Sequence, residues 1–417
     1  MSNHEAVRPQ CAEPPQDLTA SPVAGRRLAA VALVLAALNL RPAVTSLGPV
    51  LEEVRSTLGM SATVAGLLTS LPEVCFALVG FAASRLARRY GTDGVIAVGA
   101  VALAAGLVAR PFASGTLVFI ALSAIALAGI AVTNVLLPVV VKQRFPDRVG
   151  AMTGVYSTAL NVGACAAAAG TVPLARAFGA RWEAGLGAWA VVAVAAVPAW
   201  LLLGRSRRAS AVPMPGTVPA ATSDGGSGVR ITRSPTAWAL AVFFGLQAGG
   251  AYVIIGWLPQ MFRDAGLSAE TAGLLFAVTS LLSVPLSYPL TTLAGRLRGQ
   301  SGLAAGLALC GLAGFAGLWA APAGAAWLWA VLLGLSNTAF PLALAMIGMR
   351  GQDGATVTRL SAFAQSTGYL ISIPVPILVG ALYQHSGGWR TPLTLMAVLM
   401  VLQLVAGLVA GRDRRIG

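Results

Sequence analysis

The sequence predicts an all-α membrane protein of twelve transmembrane helices, arranged as two pseudo-symmetric six-helix bundles. Three observations lead there. The chain of 417 residues is 57% hydrophobic and 10% charged, with a mean hydropathy of +0.78, whereas soluble domains average about 25% charged residues. Its apolar runs recur along nearly the whole length, each near the roughly 20 residues a helix needs to cross a bilayer. The two halves also repeat. Ser61-Ala-Thr-Val-Ala-Gly-Leu-Leu68 matches Ser268-Ala-Glu-Thr-Ala-Gly-Leu-Leu275 at a shift of 207 residues, and Trp182 falls on Trp389 at the same shift. Asn134 and Pro138 correspond to Asn337 and Pro341 at a shift of 203. Such self-similarity marks a duplicated six-helix unit.

In order, residues 1–27 form a Pro-rich polar tail with Glu5, Glu13 and Asp17. No apolar core precedes a cleavage site, so no signal peptide is expected and the first span stays in place. The first bundle covers 28–203, with spans near 28–52, 62–83, 93–112, 115–141, 149–173 and 183–203. A linker follows at 204–235, breaking the apolar pattern with Arg205, Arg207, Arg208 and the run Ser223-Asp-Gly-Gly-Ser-Gly228. The second bundle covers 236–411, with spans near 236–258, 269–292, 301–320, 325–349, 357–382 and 389–411, and 412–417 is a short tail.

The formal net charge of +14 reports orientation rather than a nucleic-acid partner. With both termini in the cytoplasm, six of the 28 Lys and Arg residues (Arg55, Arg110, Arg176, Arg181, Arg263 and Arg390) fall in outer loops. Arg41 lies within a span and all the others fall inside. That asymmetry is the positive-inside pattern. Cys11, Cys75, Cys165 and Cys310 lack metal or disulfide spacing and are expected to be free thiols; no metal or cofactor is expected.

Arg41 is the residue most out of place, in the middle of the first span. A guanidinium at mid-membrane costs about 2.5–3.5 kcal/mol on insertion scales, so it persists where it faces a cavity, an ion or a partner. Duplicated halves of this kind commonly rock about a site near the bilayer midplane, and Arg41 suits a negative or strongly polar solute there. Pro285 and Pro289 in span eight and Pro374 and Pro376 in span eleven are positioned to kink their helices. Small residues recur every four positions at Ala159, Gly163, Ala167 and Thr171 of span five and at Gly302 and Gly306 of span nine, a pattern expected of close helix packing.

Leu38-Asn-Leu-Arg-Pro42 with Thr45-Ser-Leu-Gly-Pro49, then Leu68-Thr-Ser-Leu-Pro72, resemble the cyanate and nitroimidazole transporter branch of the major facilitator superfamily. Phe244-Gly-Leu-Gln-Ala-Gly-Gly-Ala-Tyr252, Gly256-Trp-Leu-Pro259 and Ala339-Phe-Pro341 agree with it, so the resemblance covers about residues 28–411. It implies a major facilitator fold whose central cavity is lined mainly by spans one, four, seven and ten, with two, five, eight and eleven beside them. It also implies a multi-pass protein of the bacterial inner membrane, monomeric as is usual for this fold, with cyanate-like anions and nitro-aromatic heterocycles as example substrates. The loop Leu86-Ala-Arg-Arg-Tyr-Gly91 departs from the superfamily pattern, carrying Arg88 where an acid usually stands.

Glu73 is a second departure, because the branch generally has an apolar residue after the span-two Leu-Pro pair. It is the one carboxylate expected inside the membrane, and therefore the candidate proton carrier. It is also a candidate structural partner of Arg41. At about 1.5 Å per residue in a core of about 30 Å, the two levels differ by roughly 6 Å, within reach of long side chains. Asn39, Asn134, Asn161, Gln247, Asn337 and Gln365 either present amides to a substrate or bond helix to helix. Asn134, Gln247 and Asn337 gain from lying on cavity-lining spans in the resembled fold. Tyr156, Tyr252, Phe340, Phe363 and Tyr369 are candidate apolar walls. Lys142, near the inner end of span four, is expected to snorkel.

No Gly-x-x-x-x-Gly-Lys loop supports ATP hydrolysis, and no intramembrane His, paired carboxylate or Ser-His-Asp set supports a membrane enzyme. One arginine and one acid do not make the charged rings of a channel. The expectation is a secondary active transporter of a small polar or anionic solute, possible proton coupling included; a proton-driven multidrug efflux antiporter is the alternative, and a channel the alternative from another class.

Overall fold

A computed structural model describes residues 22–208, 231–352, 354–414 and 416. Residues 1–21 of the expected tail and 209–230 of the expected linker lie outside the described residues. Among the described residues, twelve helices are long and apolar enough to cross a membrane. Spans one to six run Arg26–Leu58, Ala62–Val79, Thr92–Phe112, Thr116–Arg144, Ala151–Ala177 and Trp182–Gly204. Spans seven to twelve run Pro235–Asp264, Ala269–Arg296, Ser301–Ala320, Ala326–Arg350, Thr356–Ser386 and Arg390–Ala410. The duplicated sequence has a local cause. Ser61 accepts the N–H of Val64 at 3.2 Å and Ser268 that of Thr271 at 3.2 Å, so the repeated Ser-Ala-x-x-Ala-Gly-Leu-Leu segment is the capped start of spans two and eight.

Three spans are interrupted. Span one breaks at Leu40–Arg41, between a helix ending at Asn39 and a short helix starting at Pro42. Pro42 has no N–H to continue the ladder. Span ten breaks at Thr338, three residues before Pro341, and span eleven at Ile373, before Pro374. Span eight, by contrast, runs unbroken through Pro285 and Pro289. An expectation that fails is packing on span nine: a methyl added at Gly302 or Gly306 would meet nothing. Both glycines are exposed. The span-five stripe does pack, with Gly163 against the Leu38 carbonyl and the Thr171 hydroxyl accepting from Trp189 Nε1 at 2.9 Å.

Each half owns an apolar core, one built around Leu33, Leu103, Leu137 and Trp200, the other around Phe243, Phe244, Leu342 and Met346. A third core is shared. It joins Leu47, Leu51 and Leu68 of the first half to Trp257, Phe262, Phe276 and Val379 of the second, at the face opposite the one where span one begins and span twelve ends. On that far face the halves are also tied by polar contacts. Arg263 binds Glu53 at 2.8 Å and the Pro49 carbonyl at 3.3 Å, Arg176 pairs with Glu270, and Gln384 Oε1 accepts from both the N–H and the hydroxyl of Thr63, at 3.1 and 2.9 Å. Gly66 lets span two ride against the Pro376 backbone, and Gly48 brings span one against the Ile255 carbonyl; in both places a Cβ would collide with main chain. Near the opposite, terminal face, the pairs Arg26–Asp147 and Arg144–Asp93 and the Arg350–Gln300 hydrogen bond each stay within one half.

Candidate functional site

The site begins with the break in span one. The Arg41 carbonyl accepts the N–H groups of Val44 and Thr45, each at 2.9 Å, and the Thr45 hydroxyl at 3.1 Å, so the backbone just past the break is fixed. Asn39 holds its near side: Nδ2 donates to the Leu35 carbonyl at 2.7 Å and across to Val192 of span six at 3.0 Å. The backbone is pinned on both sides of the break, and the Arg41 side chain is half-buried. Among the described residues it joins no ion pair.

Glu73 lies on span two and is 0% exposed. Neither carboxylate oxygen has a hydrogen-bond partner of normal geometry among the described residues. The side chain that interacts with it is Ser372 of span eleven, whose hydroxyl is already donated to the Tyr369 carbonyl at 2.9 Å. The Arg41–Glu73 ion pair that the depth estimate allowed is therefore not formed. Both groups instead lie within electrostatic reach of the phenols of Tyr252 and Tyr369. A cation, an acid and two phenols from spans one, two, seven and eleven thus share one region where the halves meet.

Aromatic rings close this region. Phe76 of span two stacks on Tyr369 of span eleven at 6.2 Å between centroids, across the two halves. Phe244 of span seven meets Tyr369 edge-on at 5.2 Å and Phe340 of span ten at 5.2 Å. Phe340 follows the break in span ten, and Asn337, just before that break, keeps Oδ1 without a partner. The spans discontinuous at Arg41 and at Thr338 come from opposite halves, the arrangement by which transporters place irregular backbone beside a central cavity.

The remaining expected site residues are distributed differently. Gln247 is buried and accepts from Gln403 Nε2 of span twelve at 2.7 Å, which ties it to the back of its bundle. Gln365 donates to Ser361 within its own helix at 2.7 Å, as Asn161 does to the Ser157 carbonyl at 2.7 Å. Asn134 is exposed on span four, and Tyr156 packs half-buried against the first-half core. Phe363 packs edge-on against Trp238 at 5.2 Å, away from the aromatic group just described. Sequence reasoning missed Phe76, Phe244 and Ser372. Ordinary apolar or small residues in apolar helices carry no compositional signal, and only the pairing of spans two, seven and eleven reveals them.

One placement needs correction. Arg110, assigned to an outer loop, is 2% exposed, held in a single turn at the end of span three.

Comparison with known proteins fits this geometry. The Major Facilitator Superfamily model matches residues 30–368. The 2-nitroimidazole transporter of Escherichia coli (strain K12) is 34% identical over 386 residues, 92% of this chain and 95% of that protein. The cyanate transport protein CynX of the same organism is 32% identical over 358 residues, 86% of this chain and 90% of that protein. A crystal structure of a D-xylose-proton symporter superposes with a TM-score of 0.70 over 94% of this chain and 98% of that one, at 14% identity, a likeness of fold.

Proposed function

This chain belongs to the Major Facilitator Superfamily, and from that premise we propose that it is a secondary active transporter moving a small polar or anionic solute across the bacterial inner membrane by alternating access. Cyanate-like anions and nitro-aromatic heterocycles are the first substrates to try, since relatives covering most of the chain carry those names. The observation that carries the reading is Arg41: a cation in no ion pair among the described residues, at the break of span one, near Tyr252 and Tyr369. Its planar donors can hold two oxygens or a nitro group at once. The ring group of Phe76, Phe244, Phe340 and Tyr369 offers faces to a flat apolar body. Asn337, Asn134 and Tyr156 are the further candidates for contact, while Asn39, Gln247 and Gln365 act through the helices they brace.

Alternating access finds support in the far face, where the halves are sealed by an apolar core and three polar ties. In this reading the terminal face is cytoplasmic, as the charge asymmetry requires, and the seal faces outward. Glu73, buried at the meeting of spans two and eleven, is the proton carrier: it takes up a proton while the site opens to one side, stays neutral while the halves reorient, and releases the proton to the other side; ionised, it repels an anionic solute from Arg41. The protein works as a monomer, with both bundles contributing to one site.

Uptake of radiolabelled cyanate or 2-nitroimidazole into proteoliposomes, with and without an imposed proton gradient, tests the reading. Saturable uptake lost in Arg41→Ala is expected. No uptake of either compound, together with drug resistance in cells overexpressing the protein, moves the assignment to export of hydrophobic drugs.

A further inference from the structure

Among the described residues Arg110 and Arg350 are the fully buried cations; Arg350 is bound by Gln300 and two carbonyls, whereas Arg110 is left largely unsatisfied and the central site makes no use of it. Its surroundings are specific. Nη1 donates to the Ala43 carbonyl at 3.1 Å, and the guanidinium lies over the Phe119 ring at 5.6 Å to the centroid, so the side chain is held in place. Nε and Nη2 have no hydrogen-bond partner among the described residues, and no carboxylate pairs with the charge there. Burying a guanidinium is costly unless an opposite charge and acceptors meet it.

The missing complement has a place to sit. Arg110 lines a small cavity of about 20 Å³ together with Ala43, Thr69, Ser123, Ile255 and Gly256. One water-sized occupant needs about 10–15 Å³, so an ion of halide size fits and an aromatic solute does not. Ser123, 2% exposed, lines the same cavity, and its buried hydroxyl has no hydrogen-bond partner among the described residues. A buried cation and a buried free hydroxyl converging on one small space are the chemistry of a monovalent anion site: charge from the guanidinium, one more donor from the serine, and apolar walls that reject larger hydrated ions.

We propose that Arg110 and Ser123 form a binding site for a small monovalent anion, separate from the Arg41 centre and closed on one side by Ile255 and Gly256 of span seven. That last wall belongs to the other half of the molecule. Gly256 is close enough to the Thr69 side chain that a Cβ there would clash, and separation of the halves at the far face removes it. The site therefore exchanges its ion when the far face opens and traps it when the face shuts. The occupant is either a bulk halide or a transported small anion in transit, and the two share this chemistry.

The test uses the full-length protein in detergent, with bromide titrated against gluconate at constant ionic strength and the thermal midpoint recorded. Wild type is expected to show a saturable, bromide-specific rise in Tm. Arg110→Met abolishes it and Ser123→Ala raises the half-saturating bromide concentration several-fold, while Arg41→Ala retains it. Cyanate that suppresses the bromide response in Arg41→Ala protein identifies the occupant as a transported anion; cyanate without effect there identifies a halide site. Bromide anomalous diffraction should place the ion beside Arg110 and Ser123. An unchanged bromide response in Arg110→Met, or its loss in Arg41→Ala with retention in Arg110→Met, overturns the proposal. If Arg110→Met fails to fold, an unchanged half-saturation in Ser123→Ala together with no anomalous peak at Arg110 does so.

Discussion

Arg41 and Glu73 each place a charge, conspicuous by chemistry alone, inside an apolar helix, and each proposed role is testable by one substitution. Arg41→Lys keeps the charge and loses the planar fork, so substrate affinity should fall about tenfold or more, ~1.4 kcal/mol, with calorimetry on the folded variant as the measure. Unchanged affinity would remove Arg41 from the binding role. Glu73→Gln keeps the shape and removes the titration, and is expected to flatten the pH dependence of uptake while substrate still binds. A wild-type pH profile in proteoliposomes would leave Glu73 as a packing residue. The same chemical visibility failed for Arg110, which sits where a span ends and so looks like any loop cation.

At the scale of the helix, run length and capping were readable. All twelve spans start within two residues of their expected places and end within six, because a bilayer-length apolar stretch permits little else. Interruptions were readable only in part. Pro42 and Pro374 do break their helices, yet Pro285 and Pro289 do not, and the break at Thr338 went unforeseen although Pro341 lies near it. A proline removes one donor; whether the helix opens there depends on neighbouring spans that a single segment does not show. Small residues behave alike: Gly66 is needed where span two crosses span eleven, and Gly302 is not. Gly66→Leu should abolish transport and leave the far face unable to close, whereas Gly302→Leu should keep transport within about twofold, surface changes away from packing being worth about 0.5 kcal/mol or less. Equal rates for the two variants would refute the crossing as a functional contact.

At the scale of the molecule, the repeat told of two halves but nothing of which end holds them together. The shared core and the ties Arg263–Glu53, Arg176–Glu270 and Thr63–Gln384 join the halves at the far face, and if the proposed cycle holds, that contact must open. Replacing Thr63 and Gln384 by cysteine, in a background without the four native cysteines, should give a disulfide that stops transport and a reductant that restores it. Full transport with the crosslink formed would mean that this face stays shut throughout the cycle.

The closure is made chiefly of apolar side chains, so opening it wets them. Hydrating apolar surface raises heat capacity and becomes easier as water cools. The equilibrium between sealed and open forms should therefore curve with temperature, shifting towards open in the cold, and a spin-label distance between positions 63 and 384 should lengthen on cooling. For a cell, this makes temperature an input to the carrier, acting through water rather than through the solute.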